Sequence, residues 1–367
     1  MANTRFRKIK AGLLAVMLGL LAPAVSAQAE TAGWPLYKAR FVTAEGRVGD
    51  SGNADGSHTE GQGWGLLLAV ANDDRETFER IRAWTRAQLG VRPDRLFAWR
   101  WRPDRPADPI PDRNNASDGD IYIAWALLRA AEKWQVPAWR DEALGILDDL
   151  RRCCVIEQAG RRVLLPGADG FERKDHIVVN LSYWVFPALR AFAAADPKGG
   201  WDALAESGRA LLQQARFGRW GLPADWTQIG DDGQARLPED FPPRFSWDAI
   251  RVPLLLAWGG VDDPTLYQPF AAFAGSFADL PLQPAWTNLD DDSIASKPRN
   301  AAFDAVFALA TWRAEGAAGP VPTRITGRLA RRTKMGRLCV ARLLALVVAT
   351  DLFGVYLISA RDIRSKG

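Results

Sequence analysis

Residues 116–134 read ASDGDIYIAWALLRAAEKW, and this stretch decides how the chain folds. Apolar residues recur in it every three or four positions, which predicts an amphipathic helix. They are Ala124, Leu127, Leu128, Ala131 and Trp134. The Ser-Asp-Gly-Asp run ahead of them supplies side-chain oxygens that can accept hydrogen bonds from free amides of a first turn. We therefore predict a helix that begins near Ser117, with Asp118 and Asp120 at its N-terminal end. For Asp120, both a capping role and an internal hydrogen bond remain open.

The same helical spacing recurs along most of the chain, and strand-like alternation is rare and short. The predicted helical segments lie near 35–43, 62–72, 75–90, 118–134, 138–152, 180–195, 201–216, 247–258, 264–278, 300–314 and 338–358. The connections are rich in Pro, Gly and Asp, and the two longest, 102–115 and 219–245, are predicted as loops of functional importance. The sequence predicts a single all-α domain of about 290–320 residues.

The N-terminal 29 residues have the pattern of a secretory signal peptide. Four basic residues precede an apolar run over 11–22, and small residues follow at two plausible cleavage points, after Ala27 and Ala29. This pattern predicts export, with the mature protein in the periplasm or outside the cell.

Charge is divided unevenly between the body of the chain and its C-terminal end. Residues 324–367 carry ten Lys or Arg and two Asp, whereas residues 30–323 carry 33 basic and 41 acidic residues. Since Lys and Arg contacts to phosphate supply most nucleic-acid affinity, an acidic body argues against a nucleic-acid substrate.

Two interpretations stay open for the apolar stretch 338–360. It is long enough to span a bilayer and has basic residues on both sides, as a membrane anchor would. However, Arg342 and Asp351 lie within it, and each would cost about 2.5–3.5 kcal/mol near the bilayer centre. We favour a last helix of the folded domain over an anchor.

Cysteine and histidine usage points to no metal and no cofactor. Cys153 and Cys154 are adjacent and poorly placed to pair with each other, so we expect buried thiols, with a bridge from one of them to Cys339 left open. His58 and His176 are far apart in the sequence and have no neighbouring ligands at metal-binding spacing.

The stretch 116–134 resembles the signature of glycoside hydrolase family 8, the family of the periplasmic endoglucanases that accompany bacterial cellulose synthases. Further stretches resemble landmarks of that family in the expected order, and the resemblance spans residues 34–315. They are Trp34-Pro35, Glu45-Gly46-Arg47-Val48, Thr59-Glu60-Gly61-Gln62-Gly63-Trp64-Gly65, Leu165-Pro166-Gly167, Asn180-Leu181-Ser182-Tyr183 and Ser246-Trp247-Asp248-Ala249-Ile250-Arg251. The resemblance implies an (α/α)6 barrel, whose inner helices begin at the rim of a cleft, and a catalytic domain over 30–350.

The resemblance also implies inverting glycoside hydrolysis by two carboxyl groups. Glu60 matches the general acid and Asp248 the general base, which in inverting enzymes lie about 6.5–9.5 Å apart so that a water fits between them. Asp118 matches the acid that grips the sugar ring at the cleavage subsite. No cofactor is implied.

Glu60 presents a physical tension, because a helix N-terminus favours ionised carboxylates whereas a general acid must keep its proton. We expect the indole of Trp64, by excluding water, and the negative charges of Asp118 and Asp248 to raise the pKa of Glu60. Arg251, three residues after Asp248, is expected to keep that base ionised.

Aromatic rings are abundant, with 16 Trp and 5 Tyr, and such rings cover the flat faces of sugars well. Those in loops or beside motifs are the better candidates for substrate contact, whereas Trp84, Trp125 and Trp134 have the spacing of core residues. The predicted substrate-binding residues are Trp64, Trp99, Trp101, Tyr183, Trp226 and Arg251.

The leading functional hypothesis is an endo-β-1,4-glucanase that trims cellulose made by a neighbouring synthase. Chitosanase, xylanase and mixed-linkage glucanase are alternatives within the family, and the stretch 246–251 favours the cellulase-like branch. A non-catalytic glycan-binding subunit would lack one of the carboxylates. The expected partners are a β-glucan and a cellulose synthase complex, and the expected state is a monomer.

Overall fold

The computed structural model describes residues 34–50, 55–281, 283–296, 299 and 301–317. Ten α-helices lie in this part of the chain, and each coincides with one of the predicted helical segments. They are α1 (34–41), α2 (Thr59–Ala71), α3 (Arg75–Leu89), α4 (Ser117–Trp134), α5 (Pro137–Cys154), α6 (Phe186–Ala195), α7 (Trp201–Gln214), α8 (Val252–Gly259), α9 (Gln268–Gly275) and α10 (Ala301–Ala314). The predicted mainly helical fold is confirmed.

Alternate helices form an inner row, and the helices between them lie outside it. Along that row α2 packs on α4, α4 on α6, α6 on α8 and α8 on α10. Helices α3, α5, α7 and α9 each pack on one member of the row. The burial pattern agrees, because every residue from Thr59 to Val70 in α2 is buried, whereas α3 buries only one face.

Close contact between α2 and α4 depends on glycine. A Cβ atom at Gly63 would overlap the Cβ of Tyr122, and one at Gly119 would overlap the side chain of Thr59. Because these positions lack a side chain, the N-terminal halves of the two helices approach closely. That approach brings the acidic first turns of α2 and α4 together.

The N-terminus of α4 differs from the predicted cap. Ala116 is the N-cap residue and has no side-chain capping bond, while Ser117 lies within the helix and donates its hydroxyl to the carbonyl of Leu165, at 2.8 Å. Asp118 accepts from the neighbouring N–H of Gly119 instead. The hydroxyl of Ser117, which the local sequence pattern predicted to cap the helix, thus bonds a residue that is distant in the sequence.

Strands are few and short, as predicted, and the nine strands in the described ranges form three two-stranded sheets and one three-stranded sheet, all antiparallel. They are β1 (Ser57–His58), β2 (Arg100–Trp101), β3 (Val155–Gln158), β4 (Arg161–Leu164), β5 (His176–Val179), β6 (Thr227–Gly230), β7 (Ala235–Arg236), β8 (Arg244–Phe245) and β9 (Thr287–Asn288). The sheet β5-β6-β7 pairs Val179 with Thr227. The predicted loop 219–245 therefore contains strands.

Three 3-10 turns interrupt the predicted helices where proline or a site residue intervenes. They are Leu181–Tyr183, Ala249–Arg251 and Pro264–Leu266. The first two precede α6 and α8, each of which has proline in its first turn. Proline suits a helix start because its missing N–H has no partner to lose there.

The structure tests part of the remaining sequence predictions. Cys154 is buried and Cys153 half-buried, and both are free thiols. Trp125 lies in the core, and Trp84 and Trp134 pack against it, as predicted. No helix in the described ranges is long and apolar enough to cross a membrane. The predicted signal peptide, Cys339 and the stretch 338–360 lie outside those ranges.

Candidate active site

Three segments that are distant in the sequence bring the predicted carboxylates to one buried point. Glu60 lies in the first turn of α2 and Asp118 in the first turn of α4. Asp248 directly precedes the 3-10 turn Ala249–Arg251. All three are buried in the structure. The structure thus brings these three acids into one cluster, and their catalytic roles stay a prediction.

Arg251 links the three acids. Its Nη1 donates to Oε1 of Glu60 and lies 3.5 Å from Oδ2 of Asp118. Its Nη2 lies 2.7 Å from Oδ1 of Asp248. The side chain is only 2% exposed, so one fully buried guanidinium serves as the counter-ion for three carboxyl groups.

A polar relay holds Arg251 from the side of the first 3-10 turn. Nη2 of Arg251 also donates to Oγ of Ser182 at 2.7 Å, and that hydroxyl donates to Oδ1 of Asn180 at 2.7 Å. Asn180 also accepts from the N–H of Ser182. Both residues belong to the stretch Asn180–Tyr183, and the relay fixes the plane of the guanidinium.

The pKa of Glu60 is raised above its ordinary value. Burial is the largest cause and the charge of Asp248 adds to it, whereas the charge of Arg251 acts in the opposite direction. The hydrogen bond between the Trp64 side chain and Glu60 lowers the pKa of Glu60. Burial, the effect that the indole was expected to supply by excluding water, is the largest cause of the rise and resolves the tension between the helix N-terminus and a protonated acid.

The pKa of Asp118 lies well above its ordinary value. Burial contributes most and the neighbouring charge of Glu60 comes next, while Arg251 and the N–H of Gly119 oppose them. Burial thus favours the protonated forms of both Glu60 and Asp118. A carboxyl group that keeps its proton can serve as a proton donor.

Two tyrosines border the cluster. Tyr183, which was predicted, is 8% exposed, and the guanidinium carbon of Arg251 lies 5.8 Å from its ring centroid. Tyr122 was not predicted: it is fully buried, its pKa is raised well above the usual value by burial and by Glu60, and its ring lies 4.7 Å from that of Trp64. Its position four residues after Asp118 was an available signal, since residues i and i+4 share a helix face.

The structure places the predicted aromatic residues in two groups. Trp99 is half-buried, and its ring stacks on that of His58, with ring centroids 6.3 Å apart. His58 is the residue just before α2. Trp101 is half-buried and packs edge-on against Trp84. Trp64 is buried against Tyr122.

On the other side, Trp226 joins a row of aromatic rings. It stacks on Phe241 at 4.6 Å and on Phe171 at 5.8 Å, and meets Tyr183 edge-on at 6.4 Å. Through Tyr183 this row is continuous with the carboxylate cluster. Contact of any of these rings with substrate stays a prediction.

Two further acids, Asp120 and Asp225, are also buried. Asp120 accepts from the N–H of Phe97 at 3.0 Å and from the amide of Asn115 at 2.8 Å, so it fixes the preceding loop by internal hydrogen bonds and is not a cap. Asp225, which the sequence analysis passed over in favour of Trp226, accepts from Ser246 and Ala249. Burial raises the pKa of Asp120 to about 7 and, with the charge of Asp248, that of Asp225 to about 6.

Histidine contributes no metal site in the described ranges, where no group of three or more His, Cys, Asp or Glu has a metal-holding arrangement. Nε2 of His58 lies 3.7 Å from Oδ2 of Asp50. Burial lowers the pKa of His58 to about 3. It is therefore neutral near neutral pH and stacks on Trp99 as an uncharged ring.

Comparison with known proteins gives a consistent result. A family model described as glycosyl hydrolases family 8 matches residues 7–314. An endoglucanase from Cellulomonas uda is 44% identical over 270 residues, 73% of this chain and 74% of that protein. A probable endoglucanase from Novacetimonas hansenii is 38% identical over 293 residues, which cover 79% and 84% of the two chains. The crystal structure of endoglucanase Cel10, a family 8 glycosyl hydrolase from Klebsiella pneumoniae, aligns with a TM-score of 0.75 at 38% identity and covers 87% of this chain and 99% of that one.

Proposed function

Because the chain belongs to family 8 of the glycosyl hydrolases, we propose that it is an endo-β-1,4-glucanase that cleaves internal bonds of a cellulose-like glucan with inversion. The observation that carries the proposal is the link from Arg251 to Glu60, Asp118 and Asp248. The names of the relatives support the substrate class.

In the proposed mechanism Glu60 protonates the leaving glycosidic oxygen. Its raised pKa supports this role, because a general acid must reach the reaction protonated. Asp248 accepts a proton from the water that attacks the anomeric carbon from the opposite face of the sugar. Its Oδ1 lies 2.7 Å from Nη2 of Arg251.

Asp118 is proposed to bind the sugar ring at the cleavage subsite. It shares Arg251 with Glu60, so a hydroxyl bound to Asp118 would lie near the proton donor. Tyr183 and the aromatic row through Trp226 are proposed to cover adjacent sugars, and Trp99 and Trp101 to do so near the start of α2.

We infer that the helices form an (α/α)6 barrel. The alternation of inner and outer helices from α2 to α10 supports this architecture, as does the alignment with a family 8 enzyme. The polar cluster lies where the inner helices α2 and α4 begin, which is the expected rim of the cleft.

Reducing-end release from four polymers tests the proposal. Purified protein is incubated with carboxymethylcellulose, chitosan, xylan and barley glucan, and we expect the fastest cleavage with carboxymethylcellulose. A higher rate on chitosan, xylan or barley glucan would replace the substrate assignment with that of another member of the family. A folded protein that cleaves none of them would support a glycan-binding role.

Two substitutions test the assigned carboxyls. Glu60→Gln and Asp248→Asn are each expected to lower kcat by about a thousandfold or more with the fold intact by circular dichroism, because donor or acceptor is lost. The matched controls are Glu132→Gln and Asp141→Asn, which change exposed acids on α4 and α5. Substantial activity in either site variant would remove that residue from the mechanism.

We also propose an exported enzyme that acts on glucan from a neighbouring cellulose synthase, as a monomer. The pattern of residues 1–29 supports export. Mass spectrometry of the protein from the periplasmic fraction tests cleavage after Ala27 or Ala29, and an uncleaved cytoplasmic protein would contradict the proposal. Retention in carbonate-washed membranes would identify 338–360 as an anchor instead of a helix of the domain.

A further inference from the structure

Asp225 lies buried beside the turn that carries the proposed base. It is 2% exposed and sits in the connection between α7 and β6, where its own N–H donates to the carbonyl of Arg244 at 2.8 Å. Its carboxylate accepts from the N–H of Ser246 at 2.8 Å, from the N–H of Ala249 at 2.9 Å and from the hydroxyl of Ser246. Three donors of one short turn therefore converge on a single carboxylate.

Asp248 has no local capping role. It precedes the turn Ala249–Arg251, a position where an aspartate side chain commonly caps its own turn. Here the side chain of Asp248 makes no capping bond, and the N–H groups of Ile250 and Arg251 donate to the backbone carbonyls of Ser246 and Asp248. The carboxylate of Asp248 is left to face Arg251 at 2.7 Å.

The two carboxyl groups are neighbours in the buried region behind the turn. Burial and then the charge of Asp248 raise the pKa of Asp225 to about 6. Charged or titratable groups around Asp248 also include Arg251 on its own turn, Glu60 on α2, Asp118 on α4 and Tyr183.

We propose that Asp225 is a positioning residue for hydrolysis, which holds the turn Ser246–Arg251 so that Asp248 faces Arg251. This inference rests on the proposed function. Asp225 itself touches neither the substrate nor the reacting water, and it acts through the backbone of the turn.

Asp225→Ala and Asp225→Asn test this role as a pair. Alanine removes all three bonds to the turn, whereas the amide oxygen of asparagine keeps the two backbone bonds and its nitrogen can donate to Ser246. We expect Asp225→Ala to lower kcat about tenfold or more with KM unchanged, and Asp225→Asn to recover most of that loss. Wild-type kcat in a folded Asp225→Ala variant would overturn the proposal, even if the melting temperature fell.

Ser246→Ala covers the case in which Asp225→Ala does not fold. It removes one of the three bonds to Asp225, so we expect kcat to fall severalfold with KM unchanged. Unchanged kcat in this folded variant would then overturn the positioning role. The matched control is Asp149→Ala on α5, which removes a buried carboxylate that accepts from the N–H of Arg95 at 2.8 Å. It should alter stability without changing kcat.

A crystal structure of Asp225→Ala distinguishes failure of this inference from failure of the proposed function. In the wild type, Nη2 of Arg251 lies 2.7 Å from Oδ1 of Asp248, and we expect this contact to be lost in the variant. If the wild type cleaves no glucan but the variant loses the contact, the enzyme assignment fails and the positioning of Asp248 by Asp225 stands. An unchanged position of Asp248 overturns the inference whatever the activity.

Discussion

Arg251 is the residue on which the electrostatic balance of the cluster depends. It is 2% exposed and contacts three carboxyl groups that are themselves buried. Removing one partner of a buried ion pair costs about 3–5 kcal/mol, because the remaining charge stays desolvated. In this cluster three groups would lose their counter-ion, and they can compensate only by taking up protons.

Arg251→Met is therefore expected to destabilise the fold by about 3–5 kcal/mol at neutral pH and by less under mildly acidic conditions. Acid helps because Glu60 and Asp118, whose pKa values are already raised, rise further without the guanidinium and become neutral. Urea denaturation at both pH values measures the difference.

Arg209→Met is the control for Arg251→Met. Arg209 forms an ion pair with Glu206 on the exposed face of α7, and such surface pairs contribute about 0–1 kcal/mol. We expect little loss of stability and no dependence on pH from this variant. Equal destabilisation of Arg251→Met at both pH values would show that its loss acts through packing instead of charge.

At the scale of helices, the α2–α4 contact sets the geometry of the site. A Cβ atom at Gly119 would overlap the side chain of Thr59 and lie 2.9 Å from the N of Glu60. The two helices cannot accommodate it without moving apart, and such a movement separates Asp118 from Glu60.

Gly119→Ala should thus lower stability by about 1–3 kcal/mol, as overpacking does, and reduce kcat strongly. Thermal denaturation and reducing-end release measure the two effects. The control is Gly275→Ala at the end of α9, where no atom lies within 4 Å of the added Cβ. That variant should be neutral or slightly more stable, because alanine favours helix over glycine. If both variants behaved alike, close helix approach would not explain the glycine.

Sequence periodicity predicted the helices well because each is stabilised by a local pattern of apolar residues. It failed where the partner is distant in the chain: the hydroxyl of Ser117 bonds Leu165 instead of capping α4, and β5 pairs with β6 about fifty residues later. The family resemblance located Glu60, Asp118 and Asp248. Asp225 was missed because its partners, Ser246 and Ala249, are defined only by the tertiary fold.

At the scale of the whole molecule, buried titratable groups set how stability depends on pH. The pKa of Asp120 is raised to about 7 and that of Asp225 to about 6. A raised carboxyl pKa means that the folded state holds a proton that the unfolded state releases. The stability that such a carboxyl group contributes is therefore fully present below its unfolded pKa of about 4. This stability is lost as the pH rises through the pKa of the folded state. His58, with its pKa lowered to about 3, has the opposite effect.

Asp120→Asn is expected to change this dependence. The variant removes a group that favours the fold at acidic pH, so its melting temperature relative to the wild type should be lower at about pH 5 than at about pH 8. Differential scanning calorimetry at both values provides the measurement. A difference between variant and wild type that is the same at both pH values would show that Asp120 acts only through its hydrogen bonds to Phe97 and Asn115.

The span of the chain between Glu60 and Arg251 has a consequence for dissection of the protein into fragments. Helices α2 to α5 contain Glu60 and Asp118 and pack on one another, yet the cation that pairs with both acids lies some 130 residues after Asp118. A fragment that ends before Arg251 would bury two acids without their counter-ion. The N-terminal helices are therefore a poor choice for an independently folding fragment, even though their mutual contacts are extensive.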